Sequence, residues 1–442
     1  MRKFTLTVAL TLLAALSATP AFAARCRNTA NFDAWLAQFK KDARAAGIPA
    51  RIIEEASPEL YFDPNIIKRD NGQAVFNQTF IQFSDRMVGG ARIPNGQRKM
   101  QEHAALFKQI EQKYGVPAPV ITAFWGLESD FGADFGKFKI IPALTTLAYD
   151  CRRGDYFRPQ LMDALRLIER GDQKLPDMIG AWAGEFGGIQ ITASDYLKYG
   201  VDGDGDGRRD LIRSVPDTLA SAGNFLQHLG WRRGEPWIQE VRVPQNLPWE
   251  EADLNIKHPV SQWAKWGVKP AYGQLPAGAM EASLILPMGR HGPAFLAYPN
   301  FQAFLGWNSA YVYSTTVAYF ATRLNGAPQV DHEGAKRVVP LTTEQVTEMQ
   351  RLLNKSGWDV GEPDGKVGNG TRTAVKKAQL KFGLPADSYP DAELLRKLEG
   401  GVASNASEPR QPAAAAPAQP AAPKAGPARV LHVPPQHRTQ RQ

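Results

Sequence analysis

Most of this chain repeats its apolar residues at the spacing of an α-helix, and that periodicity limits the folds available to it. The pattern runs from about Asn28 to about Leu324, with Gly/Pro turns between its segments and few long runs of β-branched residues. We therefore predict one mainly α-helical domain over residues 24–325. The length of 442 residues, the hydrophobic share of 43% and the two cysteines exclude the disordered, collagenous and disulfide-dense classes.

The two ends of the chain differ from this helical part. Arg2 and Lys3 precede an apolar run that is followed by the small residues of segment 21–23. This pattern is typical of a cleaved secretory signal, so we predict a signal peptide over residues 1–23 and a mature chain in the periplasm. The apolar run is shorter than the roughly 20 residues of a membrane helix, so no transmembrane segment is predicted. Residues 401–442 are rich in Ala and Pro, which predicts a disordered tail.

The net charge of +8 at pH 7 would favour a nucleic-acid partner only if the excess were clustered within the fold. Arg2 and Lys3 carry two of these charges. Five basic residues against Glu408 alone give residues 401–442 a net charge of +4. The rest of the chain is close to neutral, and we therefore expect no nucleic-acid partner.

Cys26 and Cys151 are the two cysteines of the chain. Cysteines can pair in the oxidising space outside the cytoplasmic membrane. We predict a disulfide between them, which would tie the N-terminus to the middle of the helical domain. The alternative is two inert thiols.

One carboxylate falls on the apolar face of a predicted helix. Pro117 and Pro119 open this helix, and its apolar stripe runs from Val120 to Leu127, with Glu128 on the same stripe. Burial raises the pKa of a carboxyl toward the range in which it can donate a proton at neutral pH. That property is the requirement for the general acid of a glycosidase. The alternative is a helix that ends at Glu128 and leaves its side chain in solvent.

Three segments, in order along the chain, carry a resemblance to a known family. The first reads Phe-Trp-Gly-Leu-Glu-Ser-Asp-Phe-Gly over residues 124–132. The second has the pattern Ala-Gly…Gly…Gln…Ser…Tyr over residues 183–196, and the third Asn-Phe…Trp-Asn…Tyr over residues 300–313. Together they resemble the membrane-bound lytic murein transglycosylase B family, whose lysozyme-like members cleave the MurNAc–GlcNAc bond of peptidoglycan. The similarity covers most of residues 28–324.

This resemblance implies a lysozyme-like catalytic domain that acts on peptidoglycan glycan strands, with Glu128 as its catalytic residue. The third segment closes over the catalytic glutamate in the family. The residues that would contact the substrate are Gln190, Ser194, Tyr196, Trp307, Asn308 and Tyr313. Segment 190–194 departs from the family's usual Gln-Phe-x-Pro-Ser, because Ile191 and Ala193 replace the aromatic residue and the proline. We therefore expect this loop to be more mobile than in the family.

The family that this chain resembles works with one carboxylate and requires no cofactor. Glu128 would protonate the bridging oxygen, the N-acetyl group of MurNAc would stabilise the charge at C1, and Glu128 would take a proton from the C6 hydroxyl. The product would carry a 1,6-anhydro end. One alternative is a muramidase that hydrolyses the same bond with Glu185 or Asp134 as second carboxylate. A further alternative is an inactive peptidoglycan-binding scaffold.

An aspartate-rich loop follows the second segment. Asp202, Asp204, Asp206 and Asp210 fall at positions 1, 3, 5 and 9 of an EF-hand-like pattern. Position 12, which normally holds a bidentate acid, is Arg213. Two interpretations stay open: a calcium site formed by these four aspartates, or an Asp/Gly turn neutralised by the adjacent arginines.

A second unit follows a polar segment, residues 326–340, that we interpret as a linker. Residues 341–400 begin with a predicted capping box at Thr342 and Gln345. The pattern Asp-Gly-x-x-Gly…Thr…Ala-Val…Gln over residues 364–379 resembles the three-helix peptidoglycan-binding module that is often fused to wall enzymes. The resemblance implies a small three-helix domain that raises the local concentration of substrate around the catalytic domain.

Overall fold

The structure is a computed structural model that describes residues 31–71, 78–277 and 279–405. The predicted signal peptide, Cys26 and the predicted tail beyond residue 405 lie outside these ranges. Helices make up most of the regular structure, which confirms the prediction of a mainly α fold. Across the described ranges, no helix combines the length and the apolar character needed to cross a bilayer.

The larger domain is built from helices, most of which share one apolar core. Its helices are α1 (Phe32–Ala45), α2 (Ala50–Ala56), α3 (Pro64–Asn71), α4 (Phe80–Val88), α5 (Arg92–Glu102), α6 (Ala104–Tyr114), α7 (Ala118–Ser129), α8 (Ile140–Tyr149), α9 (Gly154–Arg170), α10 (Ala193–Tyr199), α11 (Val215–His228), α12 (Val260–Lys265), α13 (Phe301–Trp307) and α14 (Tyr311–Leu324).

Helix α7 lies at the centre of this core. Pro117 and Pro119 stand at its start, as the sequence predicts, and every residue from Val120 to Ser129 is buried. The helix is therefore covered all round, and the single apolar stripe expected from the sequence describes only part of its packing. Asp130 ends the helix with a left-handed backbone (φ +50°).

The chain forms a five-stranded antiparallel sheet between α11 and α13 in sequence, with the strand order β4-β6-β7-β3-β5. Its strands and those of a separate two-stranded ladder are β1 (Phe138–Lys139), β2 (Ile179–Gly180), β3 (Ile238–Arg242), β4 (His258–Pro259), β5 (Lys269–Pro270), β6 (Glu281–Ile285) and β7 (Ala294–Ala297). The helical periodicity does not predict the sheet, because its strands are only two to five residues long and contain few β-branched residues. A second apolar core, which includes Trp263 and Leu296, stabilises it.

Segment 326–340 lies against the larger domain. The Val330 N–H donates to the Tyr319 hydroxyl at 3.1 Å, and the Asp331 N–H donates to Glu240 Oε1 at 3.1 Å. The Val330 side chain is buried. The segment interpreted from the sequence as a linker is therefore anchored along its first half.

The smaller domain consists of three helices, as predicted: α15 (Thr343–Lys355), α16 (Asn369–Lys381) and α17 (Ala392–Asn405). Thr342 and Gln345 form the predicted capping box at the start of α15. A third apolar core, which includes Met349 and Val375, joins the helices.

The close approach of α7 to its neighbours depends on Gly126. A Cβ at this position would lie 2.8 Å from a ring atom of Phe131 and 2.9 Å from a ring atom of Phe320 in α14. Overpacking of this kind costs about 1–3 kcal/mol, while alanine gains at most about 1 kcal/mol over glycine in a helix. We expect Gly126→Ala to lower the free energy of unfolding, measured by chemical denaturation.

The control for this prediction is Gly370→Ala in α16, where an added Cβ would meet no atom within 4 Å. This variant should be as stable as the wild type or slightly more stable. An unchanged or higher stability of Gly126→Ala would contradict the close packing of α7.

Candidate active site

The carboxylate of Glu128 lies in the last turn of α7 and is held by two donors. Glu128 is 5% exposed. Its Oε1 accepts a hydrogen bond from Trp307 Nε1 at 3.0 Å and another from the Tyr313 hydroxyl. Because α7 continues to Ser129, the alternative of a helix end with a solvent-exposed Glu128 does not fit the structure. Two donors on one oxygen fix the orientation of the carboxylate.

Both donors are positioned by the turn between α13 and α14. Trp307 is the last residue of α13, and Tyr313 lies in the first turn of α14. Asn308 Oδ1 accepts from the Ala310 N–H at 3.0 Å, and the Ser314 hydroxyl donates to the Asn308 carbonyl oxygen. Asn308 therefore closes the turn that places Trp307 and Tyr313 over the carboxylate.

The indole of Trp307 is clamped by aromatic rings. It stacks on Phe124, one turn before Glu128 in α7, with ring centroids 4.2 Å apart, and it contacts Phe225 at 5.1 Å. Trp307 and Tyr313 are both 1% exposed. This burial assigns them to the support of the carboxylate rather than to an open sugar-stacking surface.

The loop that carries Gln190 is joined to the turn after α7. Gln190 Nε2 donates to the carbonyl oxygens of Phe135 at 3.2 Å and Gly187 at 2.9 Å. The Ser129 hydroxyl donates to the Gly188 carbonyl oxygen at 2.6 Å. Gln190 Oε1 is buried and has no hydrogen-bond partner within the described part of the chain. The two segments therefore form one unit, with an amide oxygen available as an acceptor.

The loop over residues 190–194 makes internal contacts, which do not favour the mobility that we expected. Ile191 is fully buried, and the Thr192 hydroxyl caps α10 by accepting from the Asp195 N–H at 3.2 Å. The Ser194 N–H donates to Gln160 Oε1 at 2.9 Å. The missing aromatic residue and proline are thus replaced by an aliphatic core contact and a helix cap.

Tyr196 lies on the inner side of α10, and its hydroxyl is committed to internal partners. It accepts from Gln173 Nε2 at 2.7 Å and from the Leu211 N–H at 3.0 Å, and it donates to the Arg209 carbonyl oxygen. Burial raises the pKa of the Tyr196 phenol. Tyr196 therefore stabilises the aspartate-rich loop through these hydrogen bonds. Its position does not favour the predicted contact with substrate.

The aspartate-rich loop brings together a different set of carboxylates from the one that its EF-hand-like spacing predicts. One carboxylate oxygen each from Asp202, Asp204 and Asp217 lie within 4.8 Å of one another. Asp217 belongs to α11, and burial raises the pKa of its carboxyl. Asp206 and Asp210 stand outside this cluster.

The rest of the predicted calcium pattern is occupied by internal contacts. Asp210 Oδ1 accepts from the Ile212 N–H at 3.1 Å and the Arg213 N–H at 3.0 Å, so it caps the following turn. Arg213, at position 12, forms an ion pair with Asp177. The spacing of acids along the loop therefore predicts only two of the three carboxylates that come together.

The predicted disulfide falls partly outside the described residues. Cys151 is disulfide-bonded. Cys26 lies outside the ranges that the structure describes, so the pairing of the two stays a prediction.

Two residues that take part in these sites carry no clear signal in the sequence. Ser129 follows Glu128 directly, but its partner Gly188 is 59 residues further along the chain. Asp217 stands in the first turn of α11, where an acid is expected as a favourable partner of the helix dipole. Local spacing predicts neither the bond of Ser129 nor the cluster of Asp217.

The chain belongs to the transglycosylase SLT domain family, which residues 31–322 match. Residues 342–398 match a peptidoglycan binding domain family. The prediction of the family from three short segments and the prediction of the smaller domain are both confirmed.

Individual relatives are similar over different lengths. The membrane-bound lytic murein transglycosylase B of Escherichia coli (strain K12) is 30% identical over an alignment of 247 residues that covers 54% of this chain and 66% of that protein. The chain therefore spans just under two thirds of that relative. SltB3 from Pseudomonas aeruginosa, solved in complex with NAG-anhNAM-pentapeptide, is 36% identical with a TM-score of 0.78, over 84% of this chain and 99% of that chain.

A more distant structure shares the fold alone. The Escherichia coli lytic transglycosylase Slt35, solved in complex with calcium, is 23% identical with a TM-score of 0.57. The match covers 66% of this chain and 92% of that chain.

The bond between Ser129 and Gly188 predicts a measurable contribution to stability. Ser129→Ala would leave the Gly188 carbonyl and the Gly132 N–H, which donates to the Ser129 hydroxyl at 3.0 Å, without this partner. We expect the free energy of unfolding to fall by about 1–3 kcal/mol, measured by urea denaturation. Ser84→Ala is the control, because this equally buried hydroxyl donates to Ile81 within its own helix and should cost less than about 1 kcal/mol. Equal losses would count against Ser129 as the link between the two segments.

Proposed function

We propose that this protein is a lytic murein transglycosylase that cleaves the MurNAc-β-1,4-GlcNAc bond of peptidoglycan and leaves a 1,6-anhydroMurNAc end, for wall remodelling or turnover. The observation that carries the proposal is the buried Glu128 carboxylate, with Trp307 and Tyr313 on its Oε1, in a chain of the transglycosylase SLT domain family. The complexes of SltB3 with NAG-NAM-pentapeptide and NAG-anhNAM-pentapeptide support peptidoglycan as the substrate class.

The reaction needs one group that first gives and then takes a proton. Glu128 donates its proton to the bridging oxygen as the bond from that oxygen to C1 of MurNAc breaks. The carbonyl oxygen of the N-acetyl group stabilises the positive charge at C1. The C6 hydroxyl then attacks C1 and returns its proton to Glu128. Atoms balance without water, and the enzyme regains its starting protonation state.

The hydrogen bonds at Glu128 give its two oxygens different roles. Trp307 and Tyr313 both donate to Oε1, which makes Oε1 the acceptor oxygen. The proton that moves is then carried by Oε2. The same two donors stabilise the carboxylate after the proton has left, when the buried charge is most costly. The clamp therefore orients the acid and also supports its conjugate base.

Substrate positioning is assigned to the loop joined to α7. Gln190 holds its amide nitrogen on the carbonyl oxygens of Phe135 and Gly187, so its Oε1 is turned away from these acceptors and can accept from a sugar hydroxyl or N-acetyl N–H. Ser194 is half-buried at the start of α10 and is a second candidate for substrate contact.

Neither candidate for a second catalytic carboxylate favours the hydrolytic alternative. Asp134 Oδ1 accepts from the Gly136 N–H at 2.9 Å and shapes the turn after α7. Glu185 is buried, and its negative charge acts on the Arg153 guanidinium, whose pKa is lowered chiefly by its own burial. Both carboxylates have structural partners, which leaves the single-carboxylate mechanism as the function that the site supports best.

The periplasm is the proposed location, because peptidoglycan lies outside the cytoplasmic membrane and residues 1–23 have the pattern of a cleaved signal. The smaller domain is proposed to bind peptidoglycan glycan strands. Its attachment keeps the catalytic domain at the wall and raises the effective concentration of substrate.

Glu128→Gln tests the catalytic role. Glutamine keeps the shape of the side chain but cannot donate a proton as an acid, so the rate of release of fragments from purified peptidoglycan should fall about 10²–10⁴-fold. Asp134→Asn is the control, since asparagine keeps the oxygen that accepts from Gly136, and this variant should keep most of the wild-type rate. Circular dichroism verifies that both variants fold. A rate for Glu128→Gln above a tenth of the wild-type rate would contradict the proposal.

The cluster of Asp202, Asp204 and Asp217 has the donor set of a weak calcium site. Three carboxylates within 4.8 Å repel one another, and a hard divalent cation with oxygen ligands would relieve that repulsion. Arg213 at position 12 denies the ion a bidentate acid. We propose that calcium binds here and stabilises the loop that follows α10. The ion takes no part in the chemical step at Glu128.

Calcium should therefore raise the melting temperature without changing the reaction. With a dissociation constant of about 10⁻⁴–10⁻³ M, calcium at about 10 mM would stabilise the fold by about 1–3 kcal/mol. Asp204→Asn should abolish this stabilisation. The measurement is a thermal melt with calcium or with chelator. Identical melting temperatures under the two conditions would overturn the site.

A further inference from the structure

The middle helix of the smaller domain touches the helix that supports the catalytic carboxylate. The guanidinium carbon of Arg372, in α16, lies 4.5 Å from the ring centroid of Tyr311. Arg372 Nη2 also donates to the Leu286 carbonyl oxygen at 2.6 Å. Arg372 is 8% exposed, so a long charged side chain is committed to this junction.

Tyr311 links this contact to the active site. It is the first residue of α14, two positions before Tyr313, whose hydroxyl donates to Glu128 Oε1. Both residues belong to the same helical turn, so the contact on the Tyr311 ring is made to the turn that carries Tyr313. A displacement of about 1 Å at a reacting group can cost on the order of 10²-fold in rate.

The packing around this contact is open. A cavity of about 120 Å³ is lined by Tyr311, Arg372 and Leu286, and another of about 290 Å³ is lined by Tyr311, Arg372 and Tyr389. Arg372 and Tyr311 line both cavities. At this point the contact between α16 and the start of α14 is made by the guanidinium of Arg372 on the ring of Tyr311.

A second buried cation on α16 contacts a different part of the larger domain. Lys376, one turn after Arg372 and also 8% exposed, donates to the Ala252 carbonyl oxygen at 3.2 Å and pairs with Asp253 at 3.3 Å. These partners lie before β4, outside α14. Arg372 and Lys376 thus dock the same helix, but only the contact of Arg372 includes α14.

We propose, resting on the function proposed above, that Arg372 is a positioning residue for the catalytic Glu128. Arg372 holds the ring of Tyr311 in position, and through the first turn of α14 it determines the position of the Tyr313 hydroxyl. The smaller domain therefore contributes to the rate of the chemical step in addition to any binding of the wall.

The test compares Arg372→Gln with Lys376→Gln in the full-length protein. The substrate is a short uncrosslinked glycan of GlcNAc–MurNAc repeats, and kcat and KM are measured separately. Arg372→Gln should lower kcat about tenfold with KM nearly unchanged, while Lys376→Gln should keep kcat within about twofold. Equal values of kcat for the two folded variants would overturn the proposal, since a role limited to docking predicts equality.

Two further measurements separate this proposal from the function on which it rests. In a Tyr313→Phe background, Arg372→Gln should cause no further loss of kcat, whereas independent effects would multiply. Hydrogen exchange requires no activity: the amides of residues 314–317, the first in α14 with helical acceptors, should exchange faster in Arg372→Gln than in Lys376→Gln. Equal protection there would overturn the role of Arg372, while a wild-type enzyme that releases no product would overturn the proposed function alone.

Discussion

The structure depends on the burial of one carboxylate, whose charge would be too costly in the interior without hydrogen-bond partners. A buried charge is tolerated only when hydrogen bonds replace those of water. Trp307 and Tyr313 supply these bonds to Glu128, and the features around them keep the three side chains together. Gly126 lets the neighbouring rings approach α7, the turn at Asn308 directs both donors, and the stack on Phe124 fixes the indole.

The same need explains the arrangement of the smaller domain. A module that only raised local concentration would work on a free tether. Here segment 326–340 is anchored to the larger domain, and Arg372 and Lys376 are buried against carbonyl oxygens of that domain. Buried cations are costly unless they are paired, so these contacts favour a fixed arrangement of the two domains. Helix α7 and the smaller domain then belong to one framework.

The local spacing of residues in the sequence predicted some of this architecture but not the rest. The position of Glu128 beside an apolar stripe and the capping box of Thr342 are short-range patterns, and both were predictable. The donors on Glu128 lie 179 and 185 residues away in sequence, and only the resemblance to a family pointed to them. The sheet escaped prediction because its strands are short, and Asp217 escaped because its partners come from another element.

In the proposed mechanism, one carboxylate completes the reaction without water. Digestion of peptidoglycan in water labelled with heavy oxygen, followed by mass spectrometry of the fragments, tests this most directly. We expect anhydro ends, each lighter than a reducing end by one water molecule, with no heavy oxygen incorporated during cleavage. Reducing ends that carry the heavy isotope at C1 would contradict it, because they would require a water nucleophile and a second catalytic group.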